Sequence, residues 1–269
     1  MHSSIRSAIV GLTLGQDGQR HFDLAAETIQ RALLEVKVPV LDGIEIGVHA
    51  EPARLVGGDY IDVQVHSGRL VFALGDASGK SLAAALHAIM LRYLVRGMLL
   101  SVGTDQLASV VAHTNAVVAG DMPDDHFITF LIGTLDPKSG MLRIVNAGHE
   151  YPLLLRANAS RVEPMETHGT VLGIDGSSAY EHQDARLKPG DILATYTDGL
   201  TEATNERGEL FTIERLEAYL IEHRGDSAQE LADGIFATVK AYAAGELRDD
   251  ATVLTIRFMD PSSRRSAVV

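Results

Sequence analysis

An unbroken apolar run that ends at an acidic residue constrains the fold of this chain more than any other feature. Leu70 to Leu74 are all apolar, and Gly75 and Asp76 follow at once. Such a run predicts a strand covered on both faces, because a half-exposed strand would alternate apolar and polar side chains. The strand would carry the Asp76 carboxylate to its end, where Gly75, Ala77 and Gly79 leave room for backbone or ligand.

Two other interpretations of this stretch must be weighed. Asp76 could cap a helix that begins near Lys80. Gly79-Lys80-Ser81 also looks like the end of a phosphate-binding P-loop, but that loop needs four residues between its glycines, and Gly75 and Gly79 enclose only three. A P-loop NTPase therefore stays a remote alternative.

Composition excludes several classes of function. The 269 residues include no cysteine, which rules out disulfides, thiolate metal sites and cysteine nucleophiles, so any metal must be held by oxygen or imidazole. The formal charge of −13 argues against nucleic-acid binding. His87, Arg92 and Arg96 interrupt the longest apolar stretch, Leu82–Leu100, so no membrane span is predicted and a cytoplasmic location is expected by default.

The chain is expected to divide into an N-terminal segment of residues 1–40, a main domain of residues 41–260 and a polar tail of residues 261–269. Within the first segment apolar residues recur at spacings of 4, 3, 4 and 3, at Phe22, Ala26, Ile29, Leu33 and Val36. This seam predicts a helix over Phe22–Val36. The helix could lie on its own domain or pair with a second chain to form a homodimer.

A hairpin is predicted at the start of the main domain, after a first strand at Ile44–Val48. A strand at Tyr60–His66, the short turn Ser67-Gly68 and the strand ending at Asp76 form the hairpin. Antiparallel pairing across this turn would place Asp59 and Asp76 at the same open end.

The remaining pattern alternates pairs of helices with runs of strands. Residues 156–186 are predicted to be loop-like, and they could form either a flap or an insertion that faces the substrate. Connections between strands are too short for crossover helices, which predicts two packed antiparallel sheets with helices outside. The predicted helices are Leu82–Leu100, Asp105–Ala119, Thr212–His223 and Ser227–Ala244, and the further strands are Phe127–Leu135, Met141–Ala147, Tyr151–Leu155, Asp191–Thr197 and Thr252–Phe258.

Acidic residues stand at strand ends or glycine-flanked turns in four places: Asp59, Asp76, Asp198 and the pair Asp249-Asp250. Any one of them could be a cap. Together they indicate a bound cation, because clustered carboxylates repel one another and would take up protons unless neutralised. Oxygen ligands without cysteine favour Mg²⁺ or Mn²⁺.

Seven segments in family order, spanning roughly residues 32–258, resemble the metal-dependent serine/threonine phosphatases of the type 2C class, in their bacterial SpoIIE/RsbU-like branch. The segments are ALLEVKVPVLDGIEI, PARLVGGDYIDV, GDASGKSLAAAL, FITFLIGTLD, LRIVNAGHEYPLLL, LKPGDILATYTDGLTEATN and DDATVLTIRF. The resemblance implies an α+β fold, a four-layer α-β-β-α sandwich, in residues 41–260.

The resemblance further implies two Mn²⁺ or Mg²⁺ ions. It assigns Asp76 as a ligand that bridges both ions, with the Ala77 carbonyl and Asp59 supporting the first. Asp198 and Asp249 would hold the second.

The activity implied is hydrolysis of phosphoserine or phosphothreonine on a bacterial signalling partner, such as an anti-sigma-factor antagonist, under the control of an upstream sensor or regulator protein. No arginine carries a clear phosphate-binding motif. Arg54 is the nearest candidate, although the favoured interpretation is a solvated arginine in a loop. Asp250 is expected to make local hydrogen bonds rather than serve as the main ligand. The alternative is a non-catalytic regulatory module of the same fold, against which the full set of aspartates argues.

Overall fold

Two five-stranded antiparallel sheets form the centre of the structure. The computed structural model describes residues 35–54, 56–79, 82–123 and 125–260, together with Thr28. The strands are β1 (Ile44–Glu51), β2 (Asp59–His66), β3 (Arg69–Ala77), β4 (Ile128–Leu135), β5 (Met141–Ala147), β6 (Leu153–Leu155), β7 (Glu163–Pro164), β8 (His182–Arg186), β9 (Ile192–Tyr196) and β10 (Ala251–Phe258). The helices are α1 (Leu82–Val102), α2 (Leu107–Asp121), α3 (Asp198–Thr201), α4 (Ile213–Glu222) and α5 (Ala228–Tyr242).

The first sheet has the order β1-β10-β9-β6-β7, and the second has the order β2-β3-β4-β5-β8. Strand β10, the last strand in the described chain, lies between β1 and β9 in the interior of the first sheet. The second sheet is built mostly from neighbours in sequence, starting with the β2–β3 hairpin.

Three apolar layers separate the four structural layers. The middle layer lies between the sheets and includes Leu70, Phe72 and Leu74 of β3. The intervening residues Val71 and Ala73 face the other way, against α1 and α2. The third layer packs α4 and α5 on the outer face of the first sheet. The run Leu70–Leu74 of β3 is thus apolar at every position because both faces of the strand are buried there, and the predicted α-β-β-α sandwich is confirmed.

Helix α1 is long and apolar enough to suit a membrane span by length and composition alone. In the fold it packs on the second sheet, with Leu91, Val95 and Leu99 almost completely buried. Arg92 also donates a hydrogen bond from Nη2 to the Ile61 carbonyl at 2.6 Å, and Arg96 binds the Asp62 carboxylate through two nitrogens. The helix is therefore an integral element of the sandwich.

The structure decides several predictions made from the pattern. The hairpin is confirmed, with Ser67 and Gly68 both at positive φ, as a tight two-residue turn requires. The proposal that Asp76 caps a helix is wrong, because Asp76 lies inside β3 and pairs with Asp59 and Thr129. The P-loop alternative is also wrong, since the strand before Gly79 belongs to an antiparallel sheet.

Residues 156–186 were predicted to be loop-like, and this is only partly correct. They contain the two-residue β7 and the five-residue β8, which forms the edge of the second sheet beside β5. The predicted helix over Phe22–Val36 lies outside the described residues except for Thr28, which is helical, and Glu35 and Val36, which are not, so its predicted end at Val36 is wrong. The choice between a packed and a dimerising helix rests on residues outside the described part of the chain.

Candidate metal centre

The hairpin register brings Asp59 and Asp76 together at one end of the second sheet. Asp59, the first residue of β2, is the direct cross-strand partner of Asp76, near the end of β3. Asp59 is only 2% exposed, whereas Asp76 is half-buried. The same end of the sheet therefore carries two neighbouring carboxylates, as the sequence predicted.

The first sheet contributes its acidic residues from the end of β9 and the start of β10. Asp198 opens α3 directly after β9, and Asp249 and Asp250 immediately precede β10. The two segments are in close contact: a Cβ atom added to Gly199 would lie 1.9 Å from the Asp250 carbonyl oxygen and 3.3 Å from the Asp249 Cβ. Antiparallel pairing of β9 with β10 thus places Asp198 beside Asp249.

The two sheets are joined at this end by polar contacts. Asp59 Oδ2 accepts hydrogen bonds from Thr197 Oγ1 at 2.8 Å and Thr252 Oγ1 at 2.7 Å. The Asp250 carboxylate accepts from the main-chain nitrogens of Ala53 and Gly58, each at 2.8 Å. These bonds hold the start of β2 and the loop before it against the first sheet.

The adjacent residues Asp249 and Asp250 have different surroundings. Asp250 is 6% exposed, and its two carboxylate oxygens accept the N–H groups of Ala53 and Gly58, nearly 200 residues earlier in the chain. The expectation that Asp250 makes local hydrogen bonds is therefore wrong, because its side chain binds a distant loop rather than its own turn. Asp249 is half-buried and accepts the Asp250 N–H on Oδ1 at 3.0 Å. This difference supports Asp249 as a metal ligand and Asp250 as the residue that holds the loop.

The Ala77 carbonyl lies beside the Asp76 carboxylate, against the bare backbone of Gly58. A Cβ atom at Gly58 would come within 2.4 Å of the Ala77 oxygen and 3.1 Å of Asp76 Oδ1. The Ala77 N–H donates to the Gly58 carbonyl at 3.2 Å, which fixes the two backbones side by side. Only glycine at position 58 leaves both oxygen atoms in place.

Burial and repulsion between carboxylates raise the pKa of one aspartate from each sheet. Burial, reinforced by the charges of Asp76 and Asp250, raises the pKa of Asp59 well above its usual value, although the two threonine hydroxyls act in the opposite direction. Burial and the neighbouring charges of Asp249, Glu202 and Glu150 raise the pKa of Asp198 to about 6. A cation placed among these groups would relieve the repulsion.

The donor set fits Mg²⁺ or Mn²⁺, because it consists of carboxylate oxygens and one main-chain carbonyl. Among the residues that the structure describes, no three acidic or histidine side chains converge closely enough to enclose an ion by themselves. An ion bound here would therefore also draw on the Ala77 carbonyl and on water. Arg54 is exposed, next to Ala53 in the loop held by Asp250, and stays a candidate for binding phosphate.

Sequence reasoning missed several residues around the site. Thr197 and Thr252 clamp Asp59, and Glu150 and Glu202 add negative charge near Asp198. Thr197 directly precedes Asp198, and Thr252 lies two residues after Asp250, so proximity to the strand-end aspartates was the available signal. His149, two residues after the end of β5, is also buried, and its Nδ1 lies 2.9 Å from Thr129 Oγ1.

Comparison with solved structures defines the class of fold. The PP2C domain of SiaA from Pseudomonas aeruginosa superimposes with a TM-score of 0.74 at 20% identity, over 95% of this chain and 99% of that one. The RsbU and RsbW domains of Rv1364c from Mycobacterium tuberculosis give 0.73 at 25% identity, over 86% of this chain and 63% of that one. The fold is therefore that of the PP2C-type phosphatases.

The family is equally clear. Residues 66–259 match the profile of the Stage II sporulation protein E family, and the chain belongs to this SpoIIE family of PP2C-type serine/threonine phosphatases. The phosphoserine phosphatase RsbU of Bacillus subtilis is 28% identical over 242 residues, which cover 90% of this chain and 71% of RsbU.

Structures of the same fold have been solved with divalent metal ions. The catalytic domain of the phosphatase PstP, in complex with two manganese ions, has a TM-score of 0.57 at 15% identity, over 81% of this chain and 99% of that one.

Proposed function

We propose that this protein is a metal-dependent protein phosphatase that hydrolyses phosphoserine or phosphothreonine on a signalling partner in the cytoplasm, with two Mn²⁺ or Mg²⁺ ions. The observation that carries the proposal is the meeting of two acidic groups, one from each sheet, at one end of the sandwich. Asp59 and Asp76 come from the second sheet, and Asp198 and Asp249 from the first. The hydrogen bonds that Asp59 accepts from Thr197 and Thr252 of the first sheet hold these two groups together.

The residue roles that we propose are those that the resemblance to the family implies. Asp76 would contact both ions, with the Ala77 carbonyl and Asp59 on the first ion and Asp198 and Asp249 on the second. When bound, the two ions supply a water deprotonated near neutral pH and neutralise charge on the phosphoryl oxygens. The protein's part is to fix the spacing of the carboxylates. Attack by water on the phosphorus atom then needs no covalent protein intermediate.

Electrostatics explain why a metal-free site would not accept a phosphate. The chain carries a formal charge of −13, and Glu150 and Glu202 add carboxylates near Asp198. A phosphoryl dianion would be repelled by this surface. Four positive charges from two divalent ions would offset most of this negative charge and present cations to the phosphate, with the exposed Arg54 as the side chain that we assign to the substrate phosphate.

The partner that we propose is a phosphorylated regulatory protein, such as an anti-sigma-factor antagonist. The support is the likeness to RsbU, which is named as a phosphoserine phosphatase, and to a structure that joins an RsbU domain to an RsbW domain. We also propose that an upstream sensor or regulator protein controls the activity and that the segment Phe22–Val36 pairs two chains.

The test is hydrolysis of p-nitrophenyl phosphate and of a phosphoserine peptide by the purified chain. Mn²⁺ should support both reactions, EDTA should abolish them, and Asp76→Asn should reduce kcat by orders of magnitude, because one side chain serves both ions. Asp121→Asn, at an exposed position at the end of α2, is the matched control and should behave as the wild type. Full activity of Asp76→Asn, or activity that is unaffected by EDTA, would contradict the proposal. A folded protein that binds Mn²⁺ without hydrolysing either substrate would favour the non-catalytic module.

A further inference from the structure

The Asp59 carboxylate is buried at the junction of the two sheets, in an arrangement that packing alone does not require. Its residue is 2% exposed, and burying a carboxylate is costly unless hydrogen bonds or opposite charges compensate. Two threonine hydroxyls, Thr197 Oγ1 and Thr252 Oγ1, reach the same oxygen, Oδ2, at 2.8 and 2.7 Å. Both threonines belong to the opposite sheet and are themselves almost completely buried, at 0% and 1% exposure.

The directions of these hydrogen bonds are fixed by the surrounding backbone. Thr197 Oγ1 accepts the Thr252 N–H at 3.0 Å, and the Thr197 N–H donates to the Thr252 carbonyl at 3.0 Å. Accepting this main-chain hydrogen leaves the hydroxyl proton of Thr197 available, and it is donated to Asp59 Oδ2. An ionised carboxylate can only accept, so the Thr252 hydroxyl also donates. The two hydroxyls thus form one pair of donors aimed at a single carboxylate oxygen.

The three residues stand directly beside the proposed metal ligands. Asp59 pairs across the hairpin with Asp76, and Thr197 precedes Asp198. Thr252 follows Asp249 by three positions, at the start of β10. We call the two hydrogen bonds from Thr197 and Thr252 to Asp59 the clamp. A shift of the clamp would change the separation between the ligands of the second sheet and those of the first.

We propose that Thr197 and Thr252 are positioning residues, which lock Asp59 across the sheet junction and so set the spacing of the two halves of the metal centre. The inference rests on the proposed function and deepens it. Hydrogen-bond partners of metal ligands typically change metal affinity by about 10-fold to 100-fold when they are removed. We expect a loss of that size for removal of one threonine hydroxyl.

The test compares Thr252→Val, which keeps the volume and removes the hydroxyl, with Thr252→Ser, which restores it. Mn²⁺ binding is measured without substrate, by electron paramagnetic resonance of the free ion, and kcat and KM are measured separately with p-nitrophenyl phosphate. Thr252→Val should weaken Mn²⁺ binding about 10-fold or more and lower kcat with little change in KM, and Thr252→Ser should recover most of both.

Thr255→Val is the matched control. Thr255 is buried in the same strand, but its hydroxyl donates to the Ala228 carbonyl at 2.6 Å, on the α5 side of the sheet. This variant should lower the free energy of unfolding measured in EDTA and leave Mn²⁺ affinity unchanged. If Thr252→Val behaves in the same way, the threonines only stabilise the fold and the inference is overturned.

Two further outcomes keep the inference separate from the proposed function. Wild-type protein that binds no Mn²⁺ and hydrolyses nothing would overturn both. Wild-type protein that is active with Mn²⁺, together with a Thr252→Val variant of unchanged affinity, would overturn the clamp alone. Should Thr252→Val fail to fold, Thr197→Val tests the same carboxylate from the residue that follows β9, with the same result required. Because this change also removes the acceptor of the Thr252 N–H, its control is Thr197→Ser, which keeps both hydrogen bonds.

Discussion

Gly58→Ala is the substitution for which the structure gives the most direct geometric prediction. The added Cβ would lie 2.4 Å from the Ala77 carbonyl oxygen, about 1 Å closer than an ordinary contact of about 3.4 Å. Gly58 does not have a positive φ, so alanine is acceptable to the local backbone and the clash alone decides the outcome. Relief of the clash must move the Ala77 carbonyl or the Gly58 backbone.

Neither group can move freely. The Ala77 N–H is bonded to the Gly58 carbonyl at 3.2 Å, and the Gly58 N–H is bonded to Asp250 Oδ2 at 2.8 Å. Overpacking of this kind costs about 1–3 kcal/mol of unfolding free energy, which a domain of ordinary stability survives. A displacement of about 1 Å in a metal ligand should cost roughly 100-fold in kcat.

The assay is Mn²⁺ titration with p-nitrophenyl phosphate hydrolysis as the readout, alongside urea unfolding in EDTA. Gly97→Ala is the control, because nothing lies within 4 Å of a Cβ at this site in α1. It should leave activity unchanged and raise the unfolding free energy by about 0.5–1 kcal/mol. If Gly58→Ala keeps both the Mn²⁺ affinity and the kcat of the wild type, the Ala77 carbonyl is not part of the metal centre.

Three further predictions follow from the described contacts and the sequence. Asp249→Ala should lose far more Mn²⁺-dependent activity than Asp250→Ala, which should instead lower stability because the loop N–H groups lose their acceptor; the opposite ranking in a metal titration would refute this. Burial lowers the pKa of His149 to about 4, so as the pH falls from 7 to 5 this side chain takes up a proton in the unfolded chain but stays neutral in the folded one. The free energy of unfolding should therefore fall by about 2 kcal/mol between pH 7 and pH 5. Urea unfolding of His149→Gln should show a correspondingly flatter acid dependence, and an unchanged slope would contradict it. Finally, Ile29→Glu combined with Leu33→Glu should convert a dimer to a monomer in sedimentation, and a wild type that is already monomeric would contradict pairing of the Phe22–Val36 segment.

The second sheet was predictable because its residues interact close in sequence. The run Leu70–Leu74 predicts a strand buried on both faces, and Ser67-Gly68 predicts the turn that aligns Asp59 with Asp76. Strand β8 gave no such signal. Its residues alternate between exposed and half-exposed, and its place at the sheet edge depends on contacts such as the Arg143–Asp184 ion pair at 2.8 Å rather than on an apolar stripe.

The candidate site was only half predictable for a related reason. Local patterns place each aspartate at a strand end, and these positions were correct. The contact between Asp59 and Thr197 joins residues from two sheets, and no periodicity within either segment encodes it. Which member of the Asp249-Asp250 pair would accept the loop N–H groups also depends on the loop at Ala53–Gly58, nearly 200 residues earlier in the chain.

The central place of β10 has a consequence for synthesis of the protein. Strand β1 pairs only with β10 within the described sheets, from Ile44 opposite Phe258 to Glu51 opposite Ala251, so it has no strand partner until residues 251–258 have left the ribosome. Asp249 emerges just before them. A nascent chain can form the β2–β3 hairpin early, yet it would lack both a complete first sheet and one of the proposed ligands. Closure of the first sheet and assembly of the proposed metal centre would then be one late event in folding.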